Sequence, residues 1–309
     1  MKKIISKNIS VLAVFTLLLF TLGSCGSTDK AVSSGSAESG TELSEQPPAV
    51  DAAVQPEKAV SSAEAAQPTT TAKAVTLDDI SSLNNEKKGY GQGKEVDSAN
   101  RPTGATMLQS KYGKYDAIFI APAEKNICLT FDEGYENGYT AKILDVLKQK
   151  ECSAVFFVTM DYVKRNPELI KRMIDEGHVV GNHTVHHPSM PTITIEKAKN
   201  EIQELHDYVE KEFGYKMTLF RPPMGEYSER TLAITQKLGY KTIFWSFAYE
   251  DWKTDNQPDK ATALKKIKSC THDGAIYLLH AVSSTNTAIL GDAIDYWRSE
   301  GYKVSGELG

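Results

Sequence analysis

Short apolar runs alternate with helical stretches along the chain from about Glu124 onward. The runs Ile127–Phe131, Ala154–Val158, Val179–Gly181, Thr218–Phe220, Thr242–Trp245 and Ala275–Leu279 predict strands, each bounded by polar or turn-forming residues. The clearest helix is Ile195–Phe213, in which Ile195, Ala198, Ile202, Leu205, Val209 and Phe213 recur at helical spacing. Thr194 is its candidate N-cap and Gly214 its candidate stop. Strand–helix alternation of this kind predicts βα units on a parallel sheet. The expected class is α/β, a distorted (β/α) barrel of about seven or eight units.

Upstream the pattern changes. From Gly26 to about Lys73 the chain is Ser, Ala, Thr, Glu, Gln and Pro, with no aromatic residue and no periodicity. Such a stretch cannot bury enough apolar surface to offset chain entropy, so residues 25–74 are expected to be a disordered tether. Order is expected to return over 75–124, where Tyr90, Tyr112, Tyr115 and the run Ala117–Ile120 suggest an extension packing on the main domain, residues 125–309. The first residues carry Lys2, Lys3 and Lys7, and an apolar run follows from Val11 to Leu22. It falls short of the ~18 residues needed to span a bilayer, so residues 1–24 read as an export signal. The signal ends in Leu22-Gly23-Ser24-Cys25, which resembles the lipobox of bacterial lipoproteins. That resemblance implies acylation of Cys25 and anchoring to the outer face of the cell membrane. An ordinary signal peptide cleaved nearby is the alternative.

Composition narrows the function. The 309 residues are 40% hydrophobic, enough for one sizeable core, and the net charge of -5 argues against nucleic acid as a partner. Cys25, Cys128, Cys152 and Cys270 form no CxxC pair, so no zinc knuckle or dithiol site is indicated. Cys128 and Cys152 lie in or beside apolar runs and read as small core residues.

Chemistry-bearing residues follow the predicted strands. Asp132-Glu133-Gly134 ends the first, and Asn182-His183-Thr184-Val185-His186-His187 follows the third. Arg221-Pro222-Pro223-Met224-Gly225 follows the fourth, Glu250-Asp251-Trp252 comes after the fifth, and Leu278-Leu279-His280 closes the sixth. In (β/α) barrels the C-terminal strand ends form the active-site face, so these groups are expected to converge.

In these motifs the segment from about Lys125 to Val304 resembles a polysaccharide deacetylase domain, the NodB-homology domain of carbohydrate esterase family 4. The longer stretches TFDEGYENGYT and FWSFAYEDW are similar to the subgroup that de-N-acetylates muramic acid during delta-lactam formation in spore-cortex peptidoglycan. The resemblance implies a catalytic base at Asp132, a general acid at His280, an arginine orienting the base at Arg221, and a carboxylate paired with the acid at Asp251. It implies one divalent metal, zinc above others, on His183 and His187, with Glu133 where most members carry a metal-binding Asp. Trp252 and Leu278 match walls of the acetyl pocket. Met224 stands where the family often has an aromatic residue, and its backbone N–H is a candidate oxyanion donor.

These residue types suit amide hydrolysis, which needs an activated water, an electrophile for the oxyanion and an acid for the leaving nitrogen. The expected substrate is N-acetylmuramic acid in peptidoglycan glycan strands, with the enzyme acting as a monomer. N-acetylglucosamine in wall glycan or chitin-like oligomers is an alternative substrate, and a non-catalytic glycan-binding lipoprotein is an alternative class. His186 is expected to be a bystander. Tyr135, Glu136, Asn137 and Tyr139 either contact sugar or shape the first loop.

Overall fold

A computed structural model describes residues 77–308. The expected signal, the tether and the Cys25 lipidation site lie outside the described residues.

The strands in chain order are β1 (Lys88–Gly89), β2 (Ala117–Ile118), β3 (Asn126–Glu133), β4 (Val155–Val158), β5 (Val179–Asn182), β6 (Leu219–Phe220), β7 (Glu226–Tyr227), β8 (Lys241–Ile243), β9 (Ala275–His280) and β10 (Lys303–Ser305). β1 and β7 form a small antiparallel ribbon, with Lys88 opposite Tyr227 and Gly89 opposite Glu226. The other eight strands make one parallel sheet, ordered β10-β3-β4-β5-β6-β8-β2 with β9 on β3. Just past β8 the chain reaches β9, where the Ser246 N–H donates to Ile276 O at 2.9 Å and the Leu278 N–H to Phe247 O at 2.8 Å. The sheet therefore curls back on itself, and the barrel is closed irregularly by a two-residue contact rather than by a full strand.

Period-two alternation along β3 divides its side chains between two cores. Leu129 and Phe131 pack with Phe156, Ile143, Leu147 and Ile202 beneath the helices. Cys128 packs with Phe157, Ile243, Phe244, Ile276 and Leu278 inside the curl. Each fully buried Leu, Ile or Phe contributes about 1.5–3 kcal/mol of transfer free energy, so the register of β3 is strongly fixed. A slip of one residue would move Asp132 to the helix face.

The helix over Ile195–Phe213 forms with the bounds its periodicity predicts. The Thr194 side chain accepts from the Lys197 N–H, and Gly214 ends the helix in the left-handed region at φ 66°. Ala198, Ile202, Leu205 and Val209 are its buried face. The strands differ from expectation mainly in length. β8 stops at Ile243, because Phe244 and Trp245 turn toward the extension: Phe244 stacks on Phe119 at 4.2 Å between centroids, and the Tyr90 hydroxyl donates to Trp245 O.

Candidate active site

Asp132 leaves the end of β3 on the inner face, beside His280 at the end of the neighbouring β9; the two residues are register partners. Arg221 follows β6. It is fully buried, and every guanidinium nitrogen has an acceptor. Nε donates to Ile243 O at 3.1 Å and Nη2 to Phe244 O at 3.0 Å. Nη1 donates to Thr130 Oγ1 at 2.7 Å and to Asp132 Oδ1 at 2.8 Å. The guanidinium also lies 4.2 Å from the centroid of the Phe157 ring. An arginine satisfied this fully can stay charged in the interior, and it fixes the carboxylate it touches. Burial works to raise the Asp132 carboxyl, but Arg221, with the His183 and His280 imidazoles, outweighs it and holds Asp132 below the usual carboxylate range. Asp132 is therefore an ionised carboxylate with one oxygen tied and the other, Oδ2, 3.7 Å from His183 Nε2.

His183 and His187 lie on a loop, not a helix, so their spacing of four does not itself bring them together. The loop does, by local hydrogen bonding. Asn182 Oδ1 accepts from the Thr184 N–H at 2.9 Å, and Thr184 Oγ1 accepts from the His187 N–H at 2.9 Å. Thr184 and His187 adopt positive φ, 72° and 56°. Left-handed conformations at non-glycine residues cost of order 1 kcal/mol each and gather at functional sites. The two rings sit 4.8 Å apart at 75°. His183 Nδ1 donates to Arg221 O at 2.8 Å, which leaves the Nε2 lone pair facing the cleft. Burial lowers His183 to about 4 and depresses His187 as well, so both rings are neutral near pH 7.

Neutral imidazoles with free lone pairs fit two positions on a divalent metal. Glu133, the expected third ligand, is not brought to them. It follows the parity of Leu129 and Phe131 and is absent from the cleft lining, and both of its oxygens are buried without a hydrogen-bond partner among the described residues. Burial, then the nearby charges of Glu136 and Asp132, raise its carboxyl well above the usual range. Among the described residues no three His, Cys, Asp or Glu side chains converge on one metal position. The physical reason is alternation: two adjacent residues of an unbulged strand cannot face the same side.

His280 Nδ1 meets Asp251 Oδ1 at 2.7 Å, and the His280 N–H donates to Asp251 Oδ2 at 2.9 Å. Burial opposes the charged ring, but the hydrogen bond and charge of Asp251 prevail and raise His280 above its ordinary value. Asn286 Nδ2 donates to Asp251 Oδ2 at 2.5 Å and Gln257 Nε2 to Asp251 O at 2.7 Å. Sequence reasoning missed this pair. No motif surrounds either residue: Gln257 turns back from six residues downstream onto the Asp251 carbonyl, and only the fold brings Asn286 to the carboxylate.

Asp132, His183, His187 and His280 open into one cleft of about 660 Å³, walled by Trp252, Leu278 and Met224 among others. The Trp252 ring stands edge-on to His280 at 5.6 Å and remains half-exposed. Met224 takes φ 57°, and its N–H donates to no described residue, leaving it free at the cleft wall. His186 turns away and pairs with Glu201. Within the first loop the alternatives separate. Glu136 accepts from the Gly138 and Tyr139 N–H groups, and Asn137 donates to Val282 O, so both shape the loop. Tyr135 is exposed in the cleft.

Comparison with known proteins agrees with this geometry. Residues 120–243 match the family described as polysaccharide deacetylase. The peptidoglycan-N-acetylmuramic acid deacetylase PdaA of Bacillus subtilis is 47% identical over 203 residues, covering 65% of this chain and 77% of that protein. A solved structure of Bacillus subtilis PdaA, a family 4 carbohydrate esterase, aligns with a TM-score of 0.68 at 44% identity, over 72% of this chain and 96% of that one. A family 4 carbohydrate esterase from Bacillus anthracis aligns with a TM-score of 0.60 at 37% identity, over 72% of this chain and 95% of that one. Asp251 and His280 fall beyond the matched segment, yet the fold returns them to the residues within it. The chain belongs to the polysaccharide deacetylases of carbohydrate esterase family 4, hydrolases that act on amide bonds.

Proposed function

We infer that this protein removes the acetyl group from N-acetylmuramic acid in peptidoglycan glycan, with a divalent metal bound at His183 and His187. The observation that carries the substrate is the 47% identity to a deacetylase of that sugar. The TFDEGYENGYT and FWSFAYEDW stretches support it, and their similarity to the subgroup acting in delta-lactam formation supports a role in spore-cortex maturation.

The chain's own residues divide the work as follows. Trp252 and Leu278 enclose the acetyl methyl and exclude water from it. Asp132, held ionised by Arg221, accepts the proton of the attacking water at Oδ2. The Met224 N–H donates to the oxygen on which negative charge develops. His280, kept protonated by Asp251, donates its Nε2 proton to the leaving nitrogen, and acetate and the free amine result. A divalent metal, when bound, lowers the pKa of a coordinated water and polarises the acyl oxygen.

Incubating the purified protein with glycan strands stripped of their stem peptides tests the substrate. Acetate should be released from these and hardly at all from intact peptidoglycan; equal release from chitin oligomers would replace muramic acid by glucosamine as the target. Anchoring through Cys25 is a separate part of the reading, supported by the Leu22–Cys25 pattern. Cys25→Ser should move the protein out of the membrane fraction, and retention there would remove the anchor.

A further inference from the structure

One wall of the cleft comes from the extension that precedes the family-matched segment. Tyr90, Gly91 and Gln92, in the extension, line it together with the catalytic groups. This strap is held on both sides. The Tyr90 N–H donates to Gly225 O at 3.0 Å, immediately beside Met224. The Tyr90 ring packs against Phe119, Phe244 and Trp245 with centroids 5.0, 5.0 and 5.1 Å away. Gln92 is tied twice, Nε2 to Ala248 O at 3.0 Å and Oε1 from the Trp245 Nε1–H at 3.0 Å. Behind it Gly104 lets the following helix approach so closely that a Cβ there would stand 2.8 Å from Gln92 O.

Gly91, between two fixed residues, is different. It is exposed, its N–H and C=O make no hydrogen bond to any described residue, and a Cβ built on it meets nothing within 4 Å. A rigid backbone segment thus places an unpartnered peptide in the cleft wall, with open space where a side chain would stand.

We propose that Gly91 is a specificity-determining position of the deacetylase. Its peptide N–H hydrogen-bonds a hydroxyl or acetamido oxygen of a sugar beside the one being deacetylated, and the missing side chain leaves room for that sugar. The inference rests on the glycan-deacetylase reading above and adds a subsite for a neighbouring residue of the strand. Because Gln92 and Tyr90 fix the strap in advance, no ordering is needed when the glycan arrives.

The test uses the full-length protein and peptide-free glycan strands. Gly91→Trp should raise KM for the strands by about tenfold or more, with the loss in KM rather than kcat, because the added ring occupies the subsite and not the reacting centre. Gly91→Ala should raise it less, so KM should rank with side-chain size. A KM for Gly91→Trp equal to the parent's overturns the proposal. Should Gly91→Trp fail to fold, the comparison passes to Gly91→Ala and to amide exchange in the slow variant Asp132→Asn. There the Gly91 amide should exchange more slowly when strands bind, and exchange unchanged at saturation overturns the proposal. A parent that releases no acetate from any glycan would sink the functional reading itself, which is a different failure.

Discussion

Asp251→Asn isolates the part of the mechanism most dependent on electrostatics. In the folded protein the Asp251 carboxylate is fully buried and touches His280 twice, through Nδ1 at 2.7 Å and the backbone N–H at 2.9 Å. An asparagine keeps the shape and one acceptor but loses the charge. A hydrogen bond to a charged group is worth about 1.5–3 kcal/mol, so the substitution should weaken the hold on the protonated ring by about that much and lower the His280 pKa. The sign follows from the role. A general acid works only while protonated, and a pKa raised by Asp251 keeps His280 protonated to higher pH. Removing the charge should therefore shift the alkaline limb of the pH–rate profile toward acid. Above the limb the rate should fall by about ten- to a hundredfold, while the loss at acidic pH is smaller. The assay is acetate release across the pH range. The midpoint of the limb is independent of how much enzyme is active, so partial unfolding of the variant cannot imitate the result. A limb that stays at the parent's pH would refute the pairing of Asp251 with the catalytic acid.

Other substitutions probe the remaining groups. Asp132→Asn should reduce turnover by about 10²–10⁴-fold at unchanged fold, and near-parental turnover would remove Asp132 as the base. Arg221→Met removes the partner of a buried carboxylate and should cost roughly 3–5 kcal/mol in chemical denaturation; a loss under ~1 kcal/mol would contradict the buried network. Chelator should abolish acetate release and a divalent ion restore it. Titration with zinc should show His187→Ala losing affinity at least tenfold and Glu133→Gln within about threefold of the parent, since Glu133 lies on the other face of β3. Equal losses for the two variants would return Glu133 to the ligand set.

Much of the fold was legible because its signals are local. The helix over Ile195–Phe213 carries its apolar period, its Thr194 cap and its Gly214 stop within one segment, and it forms with those bounds. The convergence of Asp132, His183, His187, Arg221 and His280 was also readable, since each follows an apolar run and strand ends share one face of such a sheet. Long-range contacts were not. Asn286 reaches Asp251 only through the fold, and Gly91 is an unremarkable glycine until Tyr90 and Gln92 fix it in the cleft wall. Glu133 is the instructive case. Its residue type and its neighbour suggested a metal ligand, while the period of the strand directs it beneath the helices.

The central claim is that the acetyl group leaves a muramic acid residue, and muropeptide mass spectrometry tests it most directly. Peptide-free glycan strands would be incubated with the parent protein or with Asp132→Asn, digested, and each sugar's acetyl content assigned by fragmentation. The account predicts one acetyl lost per modified unit, always from muramic acid, in the parent digest and not in the Asp132→Asn digest. Acetyl loss confined to glucosamine residues, or muramic acid left fully acetylated by an active parent, would contradict it.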